Sequence, residues 1–411
     1  MAVNSLTFNQ AATVLNSIME QATGETQLTA TNTASFVQQA QTALLTGFDT
    51  ITNAINQVLS RTIFSIRPYS AKFKGLEVSE SAWGNHVRKL SIADKDFQDD
   101  DRYKWPVGYD AGQNPADGNG QSVDPFVINK PDILQTNFYG QSVYENSYTL
   151  TRDQLQQAFR GPDEFNEFIT LVLSNRSDKL EQARENMARM TLTNLIGACV
   201  ASETNNARAT GMGSIPLLTV YNAQTGLSLT KQTVFQPANY RAFVQWAYGY
   251  LANVSYMFTE RTSDLYQTTI NSKHIPRHTP YEDQRIYLNS YHRFAIEMMA
   301  LANTYHDSYL GRAKGEAVGY WQSAQDPQYI NITANYTKTD GTIASDSVDT
   351  KTADVPVLGI IMDRNAAGYA VTQAWSEPAI NARGGYTTYW DHATLRNWND
   401  LTEKSAAILL A

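Results

Sequence analysis

The chain has 411 residues, 42% of them hydrophobic and 11% aromatic, enough to bury an ordinary core and to exclude a globally disordered protein. Its 23 glycines and 13 prolines exclude collagen-like and proline-rich classes. A net charge of −8 argues against a protein that grips DNA or RNA, which needs a basic face, but leaves room for one that lines a DNA-filled space.

The single cysteine, Cys199, allows no disulfide within the chain and predicts folding in a reducing cytoplasm. The first residues lack the basic-then-apolar order of a signal peptide. No apolar run reaches the roughly 18 residues that a spanning helix needs, so no membrane association is expected. Only 18% of residues are charged, and Asn, Gln, Thr and Tyr supply much of the polarity. Such a surface suits contact with other protein on many sides.

Residues 1–33 are rich in Thr, Asn, Gln and Ala, with a short helix expected around 11–19, and read as an arm without a core of its own. Over 34–66, Phe36, Ala40, Leu44, Phe48, Ile51, Ile55 and Val58 recur at spacings of three and four, an amphipathic helix bent near Gly47. Residues 68–148 read as two extended arms meeting at a long tip. Short β runs (91–92, 125–128, 138–144) flank 108–120, which is dominated by turn formers. A polar tip of that length either moves or lies on a neighbour.

From 163 to 202 there is no proline and one glycine, Gly197. Phe165, Ile169, Val172, Leu180, Ala183, Met187 and Met190 form one apolar stripe, continued by Leu192, Leu195, Ile196 and Cys199. Glu181 with Arg184 and Glu185 with Arg189 are spaced for ion pairs on the polar side. Pro162 and Asp163 start a helix of roughly 60 Å, a strut packed on a sheet. Further on, Pro237 opens a helix, Ser290 caps another, and 331–354 forms a polar hairpin or loop. Residues 355–362 make a buried strand, 386–398 alternates loosely, and 405–410 is a short apolar strand. Local helices between non-local strands predict an α+β fold.

Catalytic and metal-binding patterns are hard to find. His274 and His278 have ligand spacing, but Pro276 breaks the helix that would align them. The acidic run 94–101 fails the EF-hand pattern, with Asp99 where glycine belongs and Trp105 where glutamate belongs. A calcium site shared with another chain is an alternative to a solvated segment. No phosphate-binding loop or nucleophile elbow occurs, and Cys199 lies on the apolar helix face as a core thiol. Trp83, Trp105, Trp321 and Trp390 suit either sugar stacking or protein contacts. No cofactor is expected.

The order of these features resembles a tailed-phage major capsid protein with the Hong Kong 97 phage fold, nearest the short-tailed phi 29 group. Two segments carry the likeness: Tyr148-Thr-Leu-Thr-Arg-Asp-Gln-Leu-Gln-Gln-Ala-Phe159 leading into the long helix, and Asn381-Ala-Arg-Gly-Gly-Tyr-Thr-Thr-Tyr-Trp390 near the last strands. The resemblance implies an N-terminal arm (1–66), an extended β-hairpin loop (67–150), a peripheral domain with a spine helix (151–203), an axial domain (204–354), and a return to the peripheral domain (355–411).

It implies a structural, non-enzymatic protein that self-assembles as hexamers and pentamers into an icosahedral shell around double-stranded DNA. Its partners would be further copies of itself, a portal and a separate scaffolding protein. Its place would be the virion, after assembly in the bacterial host cytoplasm. Expected inter-subunit anchors are Trp83, Tyr103 and Trp105 in the loop and Phe36 and Phe48 in the arm. The competing readings are an encapsulin-like nanocompartment and a carbohydrate-active enzyme.

Overall fold

A proline at the first helical position and none after it lets one helix run far beyond the usual length, since only there does the missing N–H cost nothing. That element, α2 (Pro162–Thr204), has 43 residues. It is preceded by α1 (Arg152–Ala158), which starts on a reciprocal cap. The Thr151 hydroxyl accepts from the Gln154 amide at 3.3 Å, and the Gln154 side chain accepts from the Thr151 amide at 3.1 Å. The computed structural model describes residues 12–13, 15–17, 20, 35–38, 72–78, 87–93, 132–139, 142–158, 160–204, 213–261, 268–271, 273–275, 277–292, 316–338 and 340–411.

In chain order the strands are β1 (Val87–Ala93), β2 (Asp132–Phe138), β3 (Ser142–Thr151), β4 (Ser214–Pro216), β5 (Thr268–Ile270), β6 (Lys273–Ile275) and β7 (Gln284–Asn289). Then follow β8 (Glu316–Val318), β9 (Asn331–Thr337), β10 (Ile343–Asp349), β11 (Val357–Asp363), β12 (Ala367–Asn381), β13 (Tyr386–Asn399) and β14 (Ser405–Leu409). The remaining helices are α3 (Leu217–Thr225), α4 (Lys231–Val234) and α5 (Pro237–Thr259). Helices and strands in these proportions, with mostly antiparallel pairing, make an α+β fold.

Two compact units share the chain. The first comprises Met1–Asn85, Gly140–Thr191 and Gly368–Trp398. Its sheet has the order β12-β13-β3. Burial alternates along β3, as expected for a strand covered on one face only. Tyr148 and Tyr389 pair across the strands and stack at 5.0 Å, and Lys179 of α2 donates to Asn146 at 3.0 Å.

The expected ion pairs on α2 form, Arg184 with Glu181 at 2.8 Å and Arg189 with Glu185 at 2.7 Å. The second is not on a polar face: Glu185 and Arg189 are both buried. A 3₁₀ turn, Lys74–Leu76, explains why, because Phe73 lies under the Arg189 guanidinium and the Lys72 amide donates to Glu185. Met190, expected in the buried stripe, is exposed, whereas Phe165 and Met187 are fully buried. Near the N-terminus, residues 12–13, 15–17 and 20 are helical and bury Ala12 and Leu15, so this segment has more of a packed side than its composition implied.

The second unit comprises His86–Tyr139, Leu192–Ala367 and Asn399–Ala411. A five-stranded sheet in the order β4-β14-β11-β7-β8 forms its centre. All residues of β11 and β14 are buried, as their apolar runs demand. α3 and α5 pack on it through Leu218, Tyr221, Phe243, Leu251 and Phe258. Gly226, at φ +70°, ends α3 in the left-handed conformation that glycine adopts without strain.

The polar stretch 331–354 folds as the β9–β10 hairpin. Gly197 of α2 faces it so closely that an added Cβ would stand 2.5 Å from Ile332 Cδ1. Trp321, weighed above as a sugar platform, is a core residue whose indole donates to Val357 O at 2.8 Å. Cys199 is fully buried, with Sγ 3.4 Å from Ser405 Oγ. The expected β run 138–144 divides between the end of β2 and the start of β3, which belong to different sheets.

Candidate functional site

β1 and β2 pair antiparallel through all seven positions, from Val87↔Phe138 to Ala93↔Asp132. Alternation places Leu90 and Ile92 beside Gln135 and Ile133 on one face, and Lys89 and Ser91 beside Thr136 and Leu134 on the other. The expected burial is inverted. Leu90, Ile92 and Ile133 are 56%, 67% and 57% exposed, and Tyr139, just past β2, is 75% exposed. Ser91 is buried.

The inward face is held by polar groups. Lys89 Nζ contacts the carboxylates of both Asp400 and Glu403, and lies 3.2 Å from Thr402 Oγ1. Arg277 donates from Nη2 to Ser91 Oγ at 2.8 Å and from Nε to Thr402 O at 3.3 Å, with Glu403 Oε2 3.4 Å from Nε. The ribbon thus turns Lys89 and Ser91 inward and leaves Leu90, Ile92 and Ile133 outward, beside Arg88, Gln135 and Asn137. Exposed apolar residues in a contiguous strip of this kind mark a surface made to be covered. A two-stranded ribbon is also marginal by itself in water.

Other exposed apolar groups sit on strand surfaces. Ile343 of β10 is 79% exposed. In the first unit, Val143 of β3 is exposed, and so is Trp375 of β12, which stacks on His392 at 5.1 Å. Among the described residues, no group of three or more His, Cys, Asp and Glu is placed to hold a metal ion. No helix is long and apolar enough to cross a membrane among those residues.

Of the five anchors named from sequence, Phe36 is described. It is fully buried and meets Phe165 of α2 edge-on at 5.8 Å, so it packs on its own chain's helix. Phe48, Trp83, Tyr103 and Trp105 lie outside the described residues, as do the β run at 125–128, Gly47 and the turn-rich segment 108–120. Leu90, Ile92 and Ile133 were not singled out in advance. Their period-2 spacing was visible, but alternation alone cannot say which face is covered.

The arrangement of helix and sheets is similar to that of a solved phage capsid. The capsid structure of Staphylococcus phage Andhra has the same fold at a TM-score of 0.50, with 11% identity over 85% of this chain and 87% of that one. A structure of bacteriophage P68, described as head fiber and inner core protein gp22, reaches a TM-score of 0.47 at 11% identity, covering 85% of this chain and 87% of that one. That second likeness is too weak to add to the fold assignment. No curated protein matches the chain in sequence.

The model of the Phi29-like phage major capsid protein family matches residues 15–397, and the chain belongs to that family. It is accordingly a structural capsid protein of a tailed phage, a virion component that associates with copies of itself. Neither the nanocompartment nor the carbohydrate-active enzyme is favoured.

Proposed function

We propose that this chain forms hexamers and pentamers that close into an icosahedral shell around double-stranded DNA, and that the β1–β2 ribbon is the surface by which one subunit grips the next. The observation that carries this reading is the ribbon's exposed apolar trio, Leu90, Ile92 and Ile133, which faces solvent while Lys89 is held against the subunit. Covering such a face with a neighbour removes apolar area from water, at about 25 cal/mol per Å². Many modest contacts repeated by symmetry give a stable shell, while each stays weak enough to correct errors.

The domain layout we assign is arm 1–66, extended loop 67–150, peripheral domain 151–203 and 355–411, and axial domain 204–354. Trp83, Tyr103 and Trp105 are placed as loop anchors and Phe48 as an arm anchor, with Phe36 rooting the arm on α2 through Phe165. A net charge of −8 lets packed DNA move along the inner surface without adhering. Portal and a separate scaffolding protein are the further partners assigned, with assembly in the host cytoplasm.

The test is cryo-electron microscopy of the purified wild-type protein and of Ile92→Asp/Ile133→Asp. Wild type gives closed particles, and the variant gives folded subunits that do not close. Normal shells from the variant would show that the ribbon face is not the grip.

A further inference from the structure

We infer that Lys89 is a positioning residue for assembly: its seat in the turn at 400–403 fixes the direction in which the β1–β2 ribbon leaves the subunit, aiming the apolar face before any neighbour arrives. This deepens the reading above and rests on it.

The inward face of the ribbon carries Leu134, Thr136 and Phe138 as well as Lys89 and Ser91. The polar part of its hold is directional. The Lys89 ammonium is shared between Asp400, whose side chain is 3% exposed, and Glu403, at 10%. Arg277 reaches both sides of the join, bonding Ser91 on the ribbon and Thr402 in the turn.

The turn does not yield easily. Asp400 Oδ1 accepts from the Thr402 amide at 2.8 Å, the Asp400 amide donates to Ala366 O at 2.7 Å, and the Asp363 amide donates to Lys404 O at 2.7 Å, tying it to β11. An apolar seat of equal area would hold the ribbon as strongly, because well-packed hydrophobic replacements of buried ion pairs are often neutral or stabilising. It would also let the ribbon slide and rotate, since hydrophobic contact has no preferred direction. Charge-assisted hydrogen bonds have one. Their presence at this join is therefore explained by direction rather than by strength.

The experiment compares wild type, Lys89→Met, the charge-balanced combination Lys89→Met/Asp400→Asn, which leaves Glu403 with Arg277, and Lys89→Arg. Amide hydrogen exchange is read on dissociated subunits, and shell yield is read by cryo-electron microscopy. Both Met variants are expected to keep wild-type exchange in β11 and β14, while amides of 87–93 and 132–138 exchange at least tenfold faster and closed shells fall at least tenfold. Lys89→Arg restores both readouts.

If Lys89→Met fails to fold because the Asp400 carboxylate is left uncompensated, the charge-balanced combination decides the matter. Wild-type exchange in the ribbon of that combination overturns the inference, as does a full yield of regular shells from it. A wild-type chain that never closes into particles overturns the assembly reading instead, whatever the ribbon exchange shows.

Discussion

The guanidinium of Arg189 lies over the ring of Phe73, 5.4 Å from its centroid, and in the same place forms a buried ion pair with Glu185 at 2.7 Å. Phe73 itself has φ +64°, a left-handed conformation costly for any residue with a β-carbon. The long helix and the segment around the Lys74–Leu76 turn are thus fastened by a cation held between a carboxylate and an aromatic face, away from water. Arg189→Met should cost about 3–5 kcal/mol, because it strands the Glu185 carboxylate in the interior. Glu185→Met/Arg189→Met should recover most of that loss. Chemical denaturation of the subunit checks both values, and a double variant as unstable as the single would refute the account.

At Phe73 the usual ranking of alanine and glycine should be reversed. Phe73→Ala loses the buried ring, worth about 3–5 kcal/mol, and keeps the left-handed strain. Phe73→Gly loses the same ring but relieves the strain, and should be more stable than Phe73→Ala by up to about 1 kcal/mol. Urea midpoints of the two variants give the sign directly.

Gly197 should not tolerate a side chain, although glycine inside a helix ordinarily costs about 1 kcal/mol relative to alanine. A Cβ would stand 2.5 Å from Ile332 Cδ1 and 3.2 Å from Ala334 Cβ. Gly197→Ala should destabilise by about 1–3 kcal/mol. Adding Ile332→Val, which removes the clashing methyl, should return part of it. Equal thermal midpoints for wild type and Gly197→Ala would show that the hairpin gives way freely.

Acid should weaken the fold through His292. Burial, only partly offset by a hydrogen bond to Gln328, lowers its pKa from 6.5 to about 4, and Nε2 is buried with no hydrogen-bonding partner among the described residues. Because the folded state resists the proton more than the unfolded state does, stability is full above about 6.5 and declines as pH falls from there through about 4. The total is about 3 kcal/mol at 1.36 kcal/mol per pKa unit. Unfolding free energies of wild type and His292→Gln at pH 7 and pH 4 should converge towards the acid end. Parallel pH profiles for the two proteins would remove His292 as the cause.

Trp105→Ala should leave a soluble, folded subunit and lower shell yield. Micrographs with shells at normal number would show that Trp105 is not an anchor.

Much of this architecture is written into local patterns. The uninterrupted helix α2, the proline start of α5 and the apolar runs of β11 and β14 follow from periodicity and from where proline is tolerated. Pairing is not local. The parallel contact of the three-residue β4 with β14 leaves no mark beyond one buried Ile215, because its partner is almost two hundred residues away. The burial of Glu185 and Arg189 was hidden for a similar reason, since only the Lys74–Leu76 turn, more than a hundred positions earlier, converts that side of the helix into interior. At the ribbon, alternation left both faces open, and the turn at 400–403 decides between them by supplying counter-charges to Lys89.

The way the backbone visits both units has a bearing on synthesis. It passes from one to the other five times, and the last passage inserts β14 between β4 and β11. On the ribosome, neither half can be finished early, because each awaits stretches made late. Until the stretch beyond residue 399 has emerged, the turn that seats Lys89 is missing. If the ribbon is the grip proposed above, nascent neighbours have no properly oriented one to offer each other before that stretch is made.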